Sequence, residues 1–130
     1  MKPKVLIVDD DLLIAQQLFW ALCDEFETLT ADNLSSAVRR ATVHEPDVVI
    51  LDLHLPPTPD SPQTGLRILD YVKCHLPSAK VFVATTDPSA EARRECVRRG
   101  ADGFLSKPLE VEALLEAVRR AAHTPRLAAA

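Results

Sequence analysis

Three stretches of the chain are apolar without alternation: VLIV at 5–8, VVIL at 48–51 and VFVA at 81–84. A strand with one solvated face alternates apolar and polar side chains, so unbroken runs of this length predict strands covered on both faces, as in the centre of a parallel sheet. Two weaker runs, FETLTA at 26–31 and GFLS at 103–106, predict strands with thinner cover. Between the strands the period becomes helical. Ile14, Leu18 and Leu22 fall at i, i+4, i+8, and Val111, Leu114, Leu115 and Val118 at i, i+3, i+4, i+7, each an amphipathic stripe. Five strands alternating with five helices predict an α/β fold, a doubly wound parallel sheet between two helical layers with right-handed crossovers.

Local chemistry sets the boundaries. Pro46 and Pro77 close the helices before strands three and four, since proline cannot continue a helix. Asp11 is placed to cap the first helix; Asp87 followed by Pro88 predicts the start of the fourth, and Gly100 its end. The segment LPPTPDSPQTG at 55–65 has four prolines between Pro56 and Pro62 and no apolar period, which predicts a stiff surface loop.

Composition then narrows the class. A length of 130 residues suits one domain. The net charge of −4 gives no support for nucleic-acid binding, which needs clustered cations; the pairs Arg39-Arg40, Arg93-Arg94, Arg98-Arg99 and Arg119-Arg120 are expected on solvated helix faces. No apolar run is long enough to cross a membrane, and the acids after VLIV interrupt anything resembling a signal peptide. A cytoplasmic protein is expected. Cys23, Cys74 and Cys96 are scattered and expected to be small buried hydrophobes, not a disulfide framework.

The polar groups at strand ends carry the chemistry. In an open parallel sheet, ligands gather beyond the carboxyl ends of the strands. Asp9, Asp10 and Asp11 follow strand one, Asp52 strand three, Thr85 and Thr86 strand four, and Lys107 strand five. Carboxylates within a few ångströms repel by about 1–4 kcal/mol per pair at intermediate dielectric, so their convergence requires a cation. An oxygen-only donor set suits Mg²⁺, with Mn²⁺ as a substitute, and the four histidines show no zinc spacing.

Taken in order, VLIVDDD, VVILDLHLP, VFVATT and GFLSKP resemble the receiver domain of bacterial two-component response regulators, over residues 4 to about 122. The resemblance implies a flavodoxin-like fold. It implies that Asp52 accepts a phosphoryl group from a phosphohistidine on a sensor histidine kinase or phosphotransfer protein. Asp9, Asp10, Asp52 and the backbone carbonyl of His54 would hold Mg²⁺. Lys107 and Thr85 would bind the phosphoryl group, Thr85 and Phe104 would form a switch acting on helix 4, strand 5 and helix 5, and Pro108 matches a cis-proline position. That same face is a possible dimer surface and the expected contact for a downstream target or fused output domain. His54, Thr86 and Asp87 match positions that tune phosphoryl lifetime.

The sequence also departs from the family pattern. Pro56 to Gly65 is longer than usual by about five residues, a Pro-rich insertion at 56–64 beside the acceptor. Thr86 stands where Ala or Gly is common. Two other readings are a degenerate receiver that works as a phosphorylation-independent interaction module, and a haloacid dehalogenase-type phosphohydrolase with its nucleophile in VDDD; the latter lacks a cap insertion. Otherwise the domain is regulatory, not an enzyme acting on a separate substrate. Residues 1–122 are expected to form the receiver, and 123–130 a short tail or truncated linker.

Overall fold

The computed structural model describes residues 2–56, 62–86 and 89–123. Ten elements alternate: β1 (Lys4–Val8), α1 (Leu12–Leu22), β2 (Glu27–Ala31), α2 (Leu34–His44), β3 (Val48–Asp52), α3 (Gln63–His75), β4 (Lys80–Thr85), α4 (Ala90–Arg98), β5 (Gly103–Ser106) and α5 (Val111–Ala122). All strand pairings are parallel, in the order β2-β1-β3-β4-β5, the flavodoxin-type doubly wound arrangement.

The central strands fill two cores, one on each face. Successive side chains of a strand point to opposite sides. Leu6, Val8, Val49, Leu51, Val81 and Val83 accordingly enter the core shared with α2 and α3, whereas Val5, Ile7, Val48 and Ile50 enter the one shared with α1 and α5. The register Val5↔Val48, Leu6↔Val49, Ile7↔Ile50, Val8↔Leu51 keeps β1 and β3 level. The carboxyl ends of both strands therefore emerge together, which positions the site.

Asp11 caps α1, its Oδ1 accepting hydrogen bonds from the N–H groups of Leu13 and Ile14. Gly100, at φ +101°, ends the turn after α4, a conformation glycine adopts without penalty. The cap of α4 differs from expectation. Ser89 takes the role, its Oγ accepting from Ala92 N at 3.1 Å, while Asp87 and Pro88 lie outside the described residues, as does most of the Pro-rich insertion. Residues 124–130 of the expected tail also lie outside.

Three further expectations are corrected. Cys96 is buried, but Cys74 is exposed and Cys23 only partly covered; α3 buries the stripe containing Leu66, Ile68, Leu69 and Val72, and Cys74 falls off it. Val111 is 46% exposed because it is the first residue of α5, and its stripe becomes covered only at Leu114. Several of the paired arginines are not merely solvated: Arg99 bridges Asp70 and Glu95, Arg119 pairs with Glu25, Arg98 and Arg120 pair with Glu95 and Glu116, and Arg93 lies over the Phe104 ring.

Candidate functional site

The carboxyl ends of β1, β3, β4 and β5 meet at one rim. Asp9 and Asp10 follow β1, Asp52 is the last residue of β3, Thr85 the last of β4, and Lys107 follows β5. Carboxylate oxygens of Asp9, Asp10 and Asp52 all lie within 4.8 Å of one another. Asp9 and Asp52 are buried and Asp10 is exposed, so the cluster has a closed inner wall and a wet mouth.

Each inner carboxylate is held by hydrogen bonds. Asp9 Oδ1 accepts from Asp11 N at 2.9 Å, and its Oδ2 accepts from Lys107 Nζ at 2.8 Å. Asp52 Oδ1 accepts from His54 N at 3.1 Å, while its Oδ2 lies 3.4 Å from Lys107 Nζ. Asp10 makes no hydrogen bond through its carboxylate among the described residues. Lys107 is placed by the peptide that links the two neighbouring strand ends, its N–H donating to Thr85 O at 2.9 Å. The bond between Lys107 and Pro108 is cis.

The electrostatics follow from this crowding. Burial raises the Asp52 carboxyl above its ordinary range; the Lys107 charge opposes that, and Asp9 reinforces it. Burial pulls the Lys107 ammonium down, but its hydrogen bond to Asp9 and the charges of Asp52 and Asp9 outweigh burial and leave it raised. Three carboxylates against one ammonium leave two negative charges in excess. At an effective dielectric of about 20, each close carboxylate pair costs about 3–4 kcal/mol. A divalent cation cancels that excess, and an all-oxygen donor set fits a hard one.

The remaining expected residues divide by position. Thr85 is fully buried at the floor and Thr86 exposed beyond it. His54 is half-buried beside Asp52. Phe104, on β5, is half-buried against the α2–α3 side core, and the Arg93 guanidinium of α4 lies 4.9 Å from its ring centre, within cation–π range. Asp87 lies outside the described residues.

Sequence reasoning missed a second layer. Gly65 N donates to Leu53 O at 3.2 Å, and a Cβ at Gly65 would sit 2.4 Å from Leu53 Cα. The first turn of α3 is thus pressed against the backbone that follows Asp52. The glycine itself was visible in sequence, but its contact required the fold. Asp102 Oδ2 accepts from both Lys73 Nζ at 2.6 Å and Val81 N at 2.8 Å, tying α3, β4 and the start of β5 together; nothing in the local sequence marks that tie.

Comparison with known proteins agrees with the geometry. The family described as response regulator receiver domain matches residues 5–119. The chain is 31% identical over 121 residues to the chemotaxis protein CheY of Listeria monocytogenes, covering 92% of this chain and 98% of the relative. It is 32% identical over 116 residues to the probable transcriptional regulatory protein TcrX of Mycobacterium tuberculosis, covering 88% of this chain and 47% of that protein, so it spans about half the length of that relative. A response regulator of Burkholderia pseudomallei, solved with a phosphorylated aspartic acid, a calcium ion and citrate, superposes with a TM-score of 0.81 at 27% identity, over 95% of this chain and 68% of the other. A five-stranded parallel sheet with an acidic rim, joined to these likenesses over nearly the whole length, places the chain in the response regulator receiver domain family, whose members serve phosphorylation-based signalling.

Proposed function

We propose that Asp52 is the phosphoacceptor of a two-component signalling protein and takes its phosphoryl group from a phosphohistidine on a cognate histidine kinase or phosphotransfer protein. The observation that carries this reading is the position of Asp52. Among the described residues it is the one carboxylate that ends a fully buried strand, faces Lys107, and stands within 4.8 Å of two other acids.

The donor set fits magnesium, and Asp9, Asp10, Asp52 and the carbonyl of His54 would hold it. Bound there, magnesium supplies the positive charge that phosphoryl transfer requires, since that reaction depends on positioning and electrostatics more than on acid-base chemistry. Asp52 supplies the attacking oxygen: a bond forms between it and phosphorus as the bond from phosphorus to the donor imidazole nitrogen breaks, and the electron pair stays on that nitrogen. Lys107 Nζ, already at hydrogen-bond distance from the inner carboxylates, is positioned to pair with a phosphoryl oxygen. Thr85, buried one strand over, is placed to donate its hydroxyl. Movement of Thr85 and Phe104 would then alter α4, β5 and α5, the face offered to a downstream protein, an output domain or a second copy. Residues 1–122 form this receiver unit, and its setting is the cytoplasm.

Mass spectrometry after acetyl phosphate treatment tests the reading. Modification is expected at Asp52, to depend on Mg²⁺ or Mn²⁺, and to vanish in Asp52→Asn. Modification at Asp10 would support the phosphohydrolase alternative, and none at any residue would support the phosphorylation-independent module.

A further inference from the structure

A second concave site lies behind the rim. A cleft of about 430 Å³ separates α3 from α4, within the roughly 300–1,000 Å³ span of ligand pockets. Leu53, Leu66, Ala92 and Cys96 line it, and of these only Ala92 is more than slightly exposed. The base is therefore apolar. At the mouth stand Glu91 and Glu95. Glu95 is matched by Arg98 and Arg99, and Arg99 also binds Asp70. Glu91 has no ionic or hydrogen-bonding partner among the described residues, so the mouth carries one unmatched negative charge.

We propose that this cleft is a docking site for a segment of a partner protein that carries a bulky aliphatic side chain flanked by lysine or arginine. Apolar lining favours the aliphatic group because docking removes apolar surface of both from water. The unmatched Glu91 selects a cation beside it and disfavours an acidic neighbour. The site is also wired to the rim. Leu53 directly follows Asp52, and its carbonyl is bound by the N–H of Gly65; Ser89, which caps α4, ends the loop that leaves Thr85. Leu53 and Ser89, at the edges of the segments that leave Asp52 and Thr85, thus line the cleft, and a shift of either on occupancy of one site changes affinity at the other, reciprocally as linkage requires. This coupling rests on the function proposed above; the docking itself does not.

Titration of the ¹⁵N-labelled protein with the peptide acetyl-KLRLK-amide tests both parts. Without magnesium, amide signals of Leu66, Ala92 and Cys96 are expected to shift, and the acidic control acetyl-ELSLE-amide is expected to bind at least tenfold more weakly. Ala92→Leu, which fills the cleft, and Glu91→Lys, an exposed change that keeps the fold, should each weaken KLRLK about tenfold. Asp10→Asn should not. Equal binding of the two peptides, or shifts confined to the neighbourhood of Asp10, would overturn the docking site. Beryllofluoride with magnesium, its uptake followed by ¹⁹F resonance, should change the KLRLK affinity at least threefold. Uptake with unchanged peptide affinity would overturn the coupling, whereas no uptake at all would count against the phosphoacceptor reading.

Discussion

Lys107 Nζ donates a hydrogen bond of 2.8 Å to Asp9 Oδ2 across 98 residues of sequence. The two side chains follow strands that are not neighbours in the sheet, since β1 and β5 are separated by β3 and β4. The contact exists because β5 runs two residues past the level of Val8, which lines up through β3 and β4 with Phe104, and Lys107 reaches across the end of the sheet.

Removing that ammonium should be costly. Lys107→Met leaves Asp9 and Asp52 buried and facing one another without a counter-charge, and breaking one half of a buried pair typically costs about 3–5 kcal/mol. A loss near the lower end is expected in urea unfolding at low divalent-ion concentration, because Asp52 can relieve part of the repulsion by taking up a proton. Magnesium should restore much of the loss if the cluster binds it, so the midpoint should become steeply magnesium-dependent.

Neutralising Asp52 should act in the opposite sense. Its carboxyl is raised above 3.8, chiefly by burial, so the folded protein binds that proton more readily than the unfolded chain does. Such a group favours folding below the unfolded value, and the advantage is lost as pH rises through the folded one. At neutral pH the buried charge is a net cost. Asp52→Asn without metal should therefore unfold at higher urea than the parent at neutral pH, and the two curves should converge as pH falls below about 3.8. A parent-to-variant gap that stays constant over that range contradicts the assignment.

Gly65 should not tolerate a side chain. A methyl group there would lie 2.4 Å from Leu53 Cα and 2.7 Å from Leu53 O, both backbone atoms that cannot rotate away. Gly65→Ala should cost about 1–3 kcal/mol in spite of alanine's better helix propensity. Because relief requires α3 to move away from the residue after Asp52, calorimetry should also show weaker magnesium binding.

Asp102 should matter for stability and not for the rim. Asp102→Ala strands the N–H of Val81, 2.8 Å from its Oδ2, and takes the carboxylate from the Lys73 ammonium, which keeps its hydrogen bond to Ala79 O. An unsatisfied buried donor costs about 1–3 kcal/mol, so thermal unfolding should shift down by several degrees while magnesium affinity stays at the parent level.

Much of this was legible in sequence because the strong signals are local. Continuous apolar runs reported β1, β3 and β4 to within a residue or two at either end, and the five-stranded parallel sheet followed from their alternation with helical periods. The polar residues of the rim were legible for the same reason: each directly ends or follows a strand. What was illegible is what depends on spacing in three dimensions. The ion pair of Arg119 with Glu25, the hold of Asp102 on Val81, and the press of Gly65 on Leu53 involve residues distant in sequence whose types admit many partners. The exposure of Leu12, Leu13 and Trp20 on α1 is the converse case, since an apolar residue announces burial by its type and only the packed fold shows that a position has nothing above it.

The placement of Lys107 just after the last strand also orders events during synthesis. Asp9, Asp10 and Asp52 leave the ribosome long before Lys107, so a chain halted short of β5 carries three rim acids without the ammonium that pairs with two of them. Proteolytic or genetic fragments that end before residue 107 should therefore depend on a divalent cation to organise the rim, however well β1 and β3 pair. Without a metal ion, internal neutralisation of the acidic pocket is therefore a late step that waits for the end of β5.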